Sequence, residues 1–224
     1  MPQERGKRQR KSWATAMAPP GYFNYATITT SGNSWRHWAQ ALQAGGVAKL
    51  QERGGALYGV WAPLFGLASN QVVMMTQWSA PEGIVPQVTE TFMAVEGIVH
   101  VESHLVLPTV RPTTSAPPQK PGLYVHRWFL VESQHVEEVV ELSATAWETF
   151  EQTFAVDIIG FFRTLGEDTA LTELLLLTWY PNLAAWERSR QFEQVPAARQ
   201  RFLRRQQLTQ WTRAIATTFV APGA

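Results

Sequence analysis

The sequence predicts an α+β protein built from two consecutive βαββαβ units. A proline-rich segment divides the 224 residues near the middle, and the same order of predicted strands and helices occurs on both sides of it. Residues 108–121 contain five prolines among small polar residues and show no hydrophobic periodicity, which is typical of an extended linker. We therefore expect one unit over residues 21–108, a linker over 109–121 and a second unit over 122–222.

The second half has the clearer pattern. Residues 123–131 are rich in aromatic and β-branched side chains, which predicts a strand. From Val136 to Phe154 a hydrophobic residue recurs every three or four positions, which predicts an amphipathic helix. Residues 157–164 and 173–180 are predicted strands, a helical region extends from about 183 to 211, and 217–220 is predicted as a short last strand.

The first half repeats this order, with strands over 22–29, 57–64, 71–78 and 98–107 and helices beginning near Trp35 and over 86–95. Several residues of the two halves match at an offset of 100 to 101, which predicts a tandem duplication. The matching pairs are Gly21 with Gly122, Gly66 with Gly166, and Trp78 with Trp179.

A βαββαβ unit forms a four-stranded antiparallel sheet with both helices on one face, the ferredoxin-like arrangement. The opposite face of such a sheet is uncovered and apolar, so it needs a partner. The predicted fold is therefore α+β, with two tandem ferredoxin-like units that pair sheet to sheet as an α+β barrel and enclose a lumen.

Composition limits the chemistry and the partners. The chain contains no cysteine, which excludes disulfides, thiolate zinc sites and a thiol nucleophile, and fits the cytoplasmic location that we expect. Residues 1–20 carry five basic side chains and one acidic one, and we interpret them as a disordered basic tail; the remaining chain has 14 basic and 17 acidic residues. A nucleic-acid partner is therefore not expected. Nor is a membrane, since no run approaches about 18 apolar residues.

The first strand of each unit carries the candidate catalytic residues. Because side chains alternate along a strand, Tyr124, His126 and Trp128 share a face opposite Val125 and its neighbours, and their polar tips suit a lumen. The offset places Phe23 and Tyr25 on the same side. We predict catalytic roles for His126, Tyr124 and Tyr25, and ligand contacts for Trp128, Trp78, Trp179 and Phe23. The alternative is that these aromatic side chains only fill the barrel.

Two further groups have open interpretations. His100, Glu102 and His104 share one face of a predicted strand, where adjacent members could share a metal ion or form a His–carboxylate pair for proton transfer. The alternative is an exposed strand face. The last helical region is rich in arginine, and we interpret it as a solvated helix face. Its arginines are Arg188, Arg190, Arg199, Arg201, Arg204 and Arg205, with Arg213 just beyond.

Both halves resemble the NIPSNAP family. In the first half the resemblance lies in Gly59-Val60-Trp61 through Gly66 and then Asn70 to Trp78; in the second, in residues 160–166 and then Leu174 to Ala185. The resemblance implies the dimeric α+β barrel superfamily, which includes cofactor-free monooxygenases, isomerases, haem-binding enzymes and proteins without known activity.

These observations favour a barrel that binds a hydrophobic small molecule in its lumen and acts on it as a cofactor-independent oxygenase or isomerase. One alternative is a non-catalytic interaction module of NIPSNAP type. Another is a haem-binding barrel with His126 or His104 as the axial ligand. The first function needs no cofactor; the alternative cofactors are haem or a divalent metal. Association into a homo-oligomer is left open.

Overall fold

The computed structural model describes residues 21–36, 38, 45–166 and 170–220. Within them the chain forms eight strands: β1 (Tyr22–Thr30), β2 (Gly55–Phe65), β3 (Gln71–Trp78), β4 (Ile98–Arg111), β5 (Leu123–Glu132), β6 (Asp157–Thr164), β7 (Leu171–Tyr180) and β8 (Thr209–Phe219). The α-helices are α1 (Val47–Glu52), α2 (Ile84–Met93), α3 (Val136–Phe154), α4 (Leu183–Arg188) and α5 (Pro196–Gln207).

The eight strands close into one antiparallel barrel in the order β1-β3-β2-β8-β5-β7-β6-β4. Each unit contributes four neighbouring strands, β4-β1-β3-β2 from the first and β8-β5-β7-β6 from the second. The units join where β2 pairs with β8 and where β4 pairs with β6. The predicted fold class is confirmed: two ferredoxin-like units of one chain form an α+β barrel. Closure also removes the unpaired strand edges that an open sheet would expose.

Strand alternation separates a lumen core from helix-side cores. Side chains such as Phe23, Tyr124 and Phe162 pack together inside the barrel. The intervening positions of the same strands, such as Val125 and Phe129, pack against the helices of the second unit. Helix α3 presents its predicted stripe to that side, buried from Val139 to Phe154. Each central strand is therefore buried on both faces, which explains its nearly continuous hydrophobic sequence.

The end of the second unit differs from the prediction. Helix α5 ends at Gln207, and Thr209 to Phe219 form an 11-residue strand where the sequence pattern predicted helix as far as Trp211. The reason is pairing: β8 lies between β5 and β2, and its backbone groups bond with both. Strand β4 likewise continues to Arg111, three residues into the predicted linker, because it pairs with β6.

The register of the two units corrects one predicted match. Tyr22 lies opposite Trp78 in the first unit, whereas Leu123 lies opposite Tyr180 in the second. The structural counterpart of Trp78 is therefore Tyr180, one residue beyond Trp179, because the second unit has one more residue between these points. The common element order agrees with a tandem duplication, which stays a prediction.

The predicted basic tail, residues 1–20, lies outside the described residues. Among the helices that the structure describes, none has the length and apolar character needed to cross a bilayer.

Candidate functional site

The lumen brings the predicted catalytic residues together. The ring of Tyr25 lies 5.7 Å from that of His126 and 5.2 Å from that of Trp128. Trp61, which the site prediction did not include, stacks edge to face on His126 at 5.1 Å and also contacts Tyr124. The predicted lumen orientation of these strand faces is confirmed, while their catalytic role stays a prediction.

His126 is held in one tautomer by its neighbours. Its Nε2 lies 3.0 Å from the Thr217 hydroxyl, which donates its own proton to the Tyr124 carbonyl oxygen at 3.2 Å. Because that hydroxyl has no second proton, Nε2 of His126 must be the donor, and Nδ1 carries an unshared electron pair. Nδ1 is buried and has no hydrogen-bond partner among the described residues. Burial lowers the pKa of His126 to about 3, so the ring is neutral near pH 7.

The two predicted catalytic tyrosines do not complete a proton relay with His126. The Tyr124 hydroxyl donates to the Lys120 carbonyl oxygen at 2.8 Å, and burial raises the pKa of this phenol to about 12. Burial also raises the pKa of Tyr25 well above its usual value. Both side chains therefore remain neutral phenols. Tyr25 contacts His126 through ring packing, whereas Tyr124 contacts Trp61, which in turn packs on His126.

The four predicted ligand-contacting aromatics separate into two groups. Phe23 and Trp128 are buried in the lumen, and Trp179 packs against its edge with its indole N–H donating to the Pro121 carbonyl oxygen. Trp78 instead faces the helices of the first unit and donates to the Thr76 hydroxyl at 2.8 Å. Trp78 therefore lies on the face of β3 that points away from the lumen, and it cannot contact a ligand bound there.

The His-Glu-His row lies at one end of the lumen. His104 Nε2 is 3.5 Å from Glu102 Oε1, and the His104 ring lies 5.5 Å from that of Trp128. His100 is exposed. In the part of the chain that the structure describes, no three acidic or histidine side chains are grouped closely enough to hold a metal ion. His104 and Glu102 are thus in contact, whereas the proton-transfer role and the metal role both stay predictions.

A second site lies on the other side of the β5–β7 sheet, beneath α3 and α5, and we call it the helix-side pocket. Its volume is about 410 Å³. Its apolar wall consists of Val125, Phe129, Trp147, Phe150, Ile158, Leu176, Phe202 and Leu203. Its polar lining consists of Arg127, Thr178, Tyr180, Arg190, Arg199, Arg205, Gln206, Thr209 and Thr212. A pocket of this volume, with an apolar wall and several polar groups, is of the kind that binds small molecules.

The charge of the helix-side pocket is one-sided. Four of its lining residues are arginines and none is acidic. The guanidinium of Arg205 lies 4.8 Å from the ring centres of both Phe129 and Phe202, and it donates to the Ser143 hydroxyl at 3.0 Å. Burial, followed by the nearby charges of Arg127 and Arg190, lowers the pKa of Arg205 to about 9.

The sequence pattern did not predict this pocket, for two reasons. By strand alternation Arg127 shares the face of Val125, opposite the predicted lumen face, where a cation is unexpected. The arginines of α5 were interpreted as solvated. Three to four residues separate Arg199, Phe202 and Gln206, so they share one face of α5. The combination of a cation inside an apolar strand face with an arginine-bearing helix face was the signal available in the sequence.

No protein-family model matches the chain, and no curated protein matches its sequence. Solved structures do. A chlorite dismutase from Candidatus Nitrospira defluvii, in complex with imidazole, superposes with a TM-score of 0.57 at 9% identity, over 89% of this chain and 90% of that one. These similarities establish the fold.

Two further structures agree with it. An anthrone oxidase-like protein superposes with a TM-score of 0.55 at 13% identity, over 89% of this chain and 91% of that chain. A heme-binding protein from Thermus thermophilus superposes with a TM-score of 0.52 at 12% identity, over 89% and 91%. The chain therefore shares the dimeric α+β barrel architecture with these proteins across nearly its whole described length.

Proposed function

We propose that the protein binds a small molecule with an apolar body in the helix-side pocket. The observation that carries this proposal is the pocket itself, a cavity of about 410 Å³ enclosed between the outer face of the second sheet and two helices. In the lumen, the aromatic side chains of Phe23, Trp61 and Tyr124 pack together and are almost fully buried.

Filling the opening of the pocket tests this proposal. Gln206 is exposed and lines the pocket, whereas the neighbouring Gln207 is exposed but does not line it. Gln206→Trp is expected to reduce the amount of co-purifying ligand by about tenfold or more, because a bulky side chain at the opening has to move before a ligand enters. The measurement is native mass spectrometry of the full chain, with extraction and identification of the bound molecule.

Gln207→Trp is the matched control and should retain the wild-type amount of ligand, since its side chain is off the pocket face of α5. A Gln206→Trp variant that carries as much ligand as the wild type would place the binding site elsewhere. The interaction-module alternative would gain support if a protein partner, rather than a small molecule, accompanied every variant.

Haem is suggested by the heme-binding structure among the similar proteins, so the residues have to be tested for it. The pocket lining contains no histidine or methionine, and Tyr180 is its only side chain of a type that ligates haem iron. The two histidines predicted as axial ligands face the lumen: His126 is enclosed by Tyr25 and Trp61, and His104 pairs with Glu102. The pocket therefore does not fit a histidine-ligated haem.

A second function is favoured by the unpaired Nδ1 of His126. The electron pair of this nitrogen is available to take a proton from an acidic C–H bond, as in a cofactor-independent oxygenase or isomerase. Because burial lowers the pKa of His126 to about 3, the imidazole is a weak base until a bound ligand changes its surroundings. A ligand reaching Nδ1 has to displace one of the rings that flank it, Tyr25 or Trp61. This proposal keeps the predicted chemistry in the lumen and adds Trp61, beside Tyr25, as a ring that limits access to Nδ1.

Anthrone is a suitable probe for the lumen proposal, because its activated C–H bond can lose a proton and the carbanion then reacts with oxygen. The balanced reaction converts anthrone and O₂ to anthraquinone and water. His126→Phe should lower the rate by about 100-fold or more, the usual contribution of a general base, while His100→Phe at the exposed end should not. Equal rates for His126→Phe and the wild type would remove His126 from the reaction.

A further inference from the structure

The structure assigns an ionic class to the ligand of the helix-side pocket: we propose that it is an organic anion, whose carboxylate or similar oxyanion is bound by Arg127 and Arg205 and whose apolar body lies against Phe150 and Leu176. This inference rests on the proposed function of that pocket. It adds the charge of the ligand, the residues that recognise it and a basis for rejecting uncharged compounds.

The first step is that Arg205 is held in place without a counter-ion. Phe129 and Phe202 flank its guanidinium, and Ser143 on α3 accepts a hydrogen bond from it at 3.0 Å. A hydroxyl supplies a partner for one N–H but no negative charge. Within the described residues Arg205 forms no ion pair with a carboxylate, so its remaining donors are available in a fixed orientation.

The second step is that further cations lie near the first. Arg127 projects from the middle of β5 into the same pocket, and Arg190 enters it just after α4, where its guanidinium donates to the Ser189 hydroxyl at 2.9 Å. Burial, followed by the charge of Arg190, lowers the pKa of Arg127. Hence the positive charges repel each other in a partly desolvated place, a cost that a nearby anion would offset.

The neighbouring Arg204 shows what a neutralised arginine looks like on this helix. It lies on the outer side of α5 and pairs with Glu138 of α3, with 2.8 Å between Nε and Oε1. Arg111, on β4, likewise forms two hydrogen bonds with Glu151. These described carboxylates thus pair with arginines outside the pocket, whereas Arg127 and Arg205 line the cavity.

The shape of the cavity indicates the remainder of the ligand. An inorganic ion would satisfy the charge but would leave the apolar wall, including Phe150 and Leu176, uncovered. Guanidinium groups bind planar oxyanions through paired hydrogen bonds, which makes a carboxylate the best match. The ligand class is therefore an organic acid with an aromatic or branched aliphatic body.

Two fluorescent probes that share one ring system but differ in charge distinguish the effect of charge on binding from the effect of apolar contact. 8-Anilinonaphthalene-1-sulfonate is an anion, and N-phenyl-1-naphthylamine has the same ring system without the sulfonate. Each is titrated into the full chain and into Arg205→Gln, with Arg204→Gln as the control on the adjacent residue. Near neutral pH and at low salt, the wild type should bind the anionic probe roughly tenfold more tightly than the neutral one.

Arg205→Gln should weaken binding of the anionic probe by roughly tenfold and leave the affinity for the neutral probe within about twofold of the wild-type value. Arg204→Gln should change neither affinity. Arg127→Gln should reproduce the effect of Arg205→Gln, so the test survives if one variant folds poorly. If both probes bind equally, or if Arg205→Gln and Arg127→Gln leave the anionic probe unchanged, the inference is wrong and the pocket still binds small molecules. If neither probe binds, the proposed function of the pocket fails as well.

Discussion

Replacing Trp61 with alanine is expected to lower the free energy of unfolding by about 4 kcal/mol, because truncating a fully buried aromatic residue leaves a cavity that its neighbours only partly fill. Trp61 is 0% exposed and packs against the rings of Tyr124, His126 and Phe219. Its ring also covers Gly59, where a Cβ atom would collide with it. The measurement is urea-induced unfolding followed by far-ultraviolet circular dichroism.

Trp211→Ala is the matched control. Trp211 is 39% exposed on β8, so the same substitution should cost less than about 1 kcal/mol. A loss of under about 1 kcal/mol for Trp61→Ala would show that the barrel around Trp61 is loosely packed. It would also strengthen the lumen as a ligand site at the expense of the helix-side pocket.

The wild-type protein is expected to lose about 3 kcal/mol of stability between pH 7 and pH 4 through His126 alone. Burial lowers its folded-state pKa to about 3, whereas the unfolded chain has the ordinary value near 6.5. Below the unfolded pKa the unfolded state binds a proton that the folded state does not, so unfolding becomes easier as pH falls, until the folded pKa is reached.

His126→Phe removes this contribution, so its stability should fall about 3 kcal/mol less than that of the wild type over the same pH interval. Urea unfolding at several pH values measures the difference, and subtraction cancels the carboxylates that both proteins share. His100→Phe, at an exposed position, should follow the wild-type curve. Parallel curves for His126→Phe and the wild type would mean that the imidazole is accessible to protons in the folded state.

Sequence alternation predicted the lumen well. Tyr25, Tyr124 and His126 converge because every second residue of a strand faces the same side, a rule that holds for any closed barrel. The rule does not report which rings will meet His126. Trp61 lies next to a register shift in β2, between Leu57 and Gly59, so simple counting along that strand does not predict its direction.

A comparison of residue types could not predict which residues of the two units are structurally equivalent. Trp78 and Trp179 match by type, but their strand partners, Tyr22 and Tyr124, show that they lie on opposite faces. The beginning of strand β8 was predicted as helix for a related reason: helical periodicity over α5 continues to Trp211, and only pairing with β2 and β5 makes residues 209–219 extended. Pairing between distant segments overrides local propensity at such places.

The order of residues along the chain was sufficient for the two βαββαβ units, the absence of thiol chemistry and the lumen orientation of His126, because each depends on local composition or on a fixed period. The helix-side pocket depends on none of these. Arg127 on β5 and Arg205 on α5 are 78 positions apart in the sequence, and their neighbourhood arises only when α5 packs over the sheet beside α3. A charge acquires its functional meaning from its distance to other charges and from the water removed around it, and folding decides both.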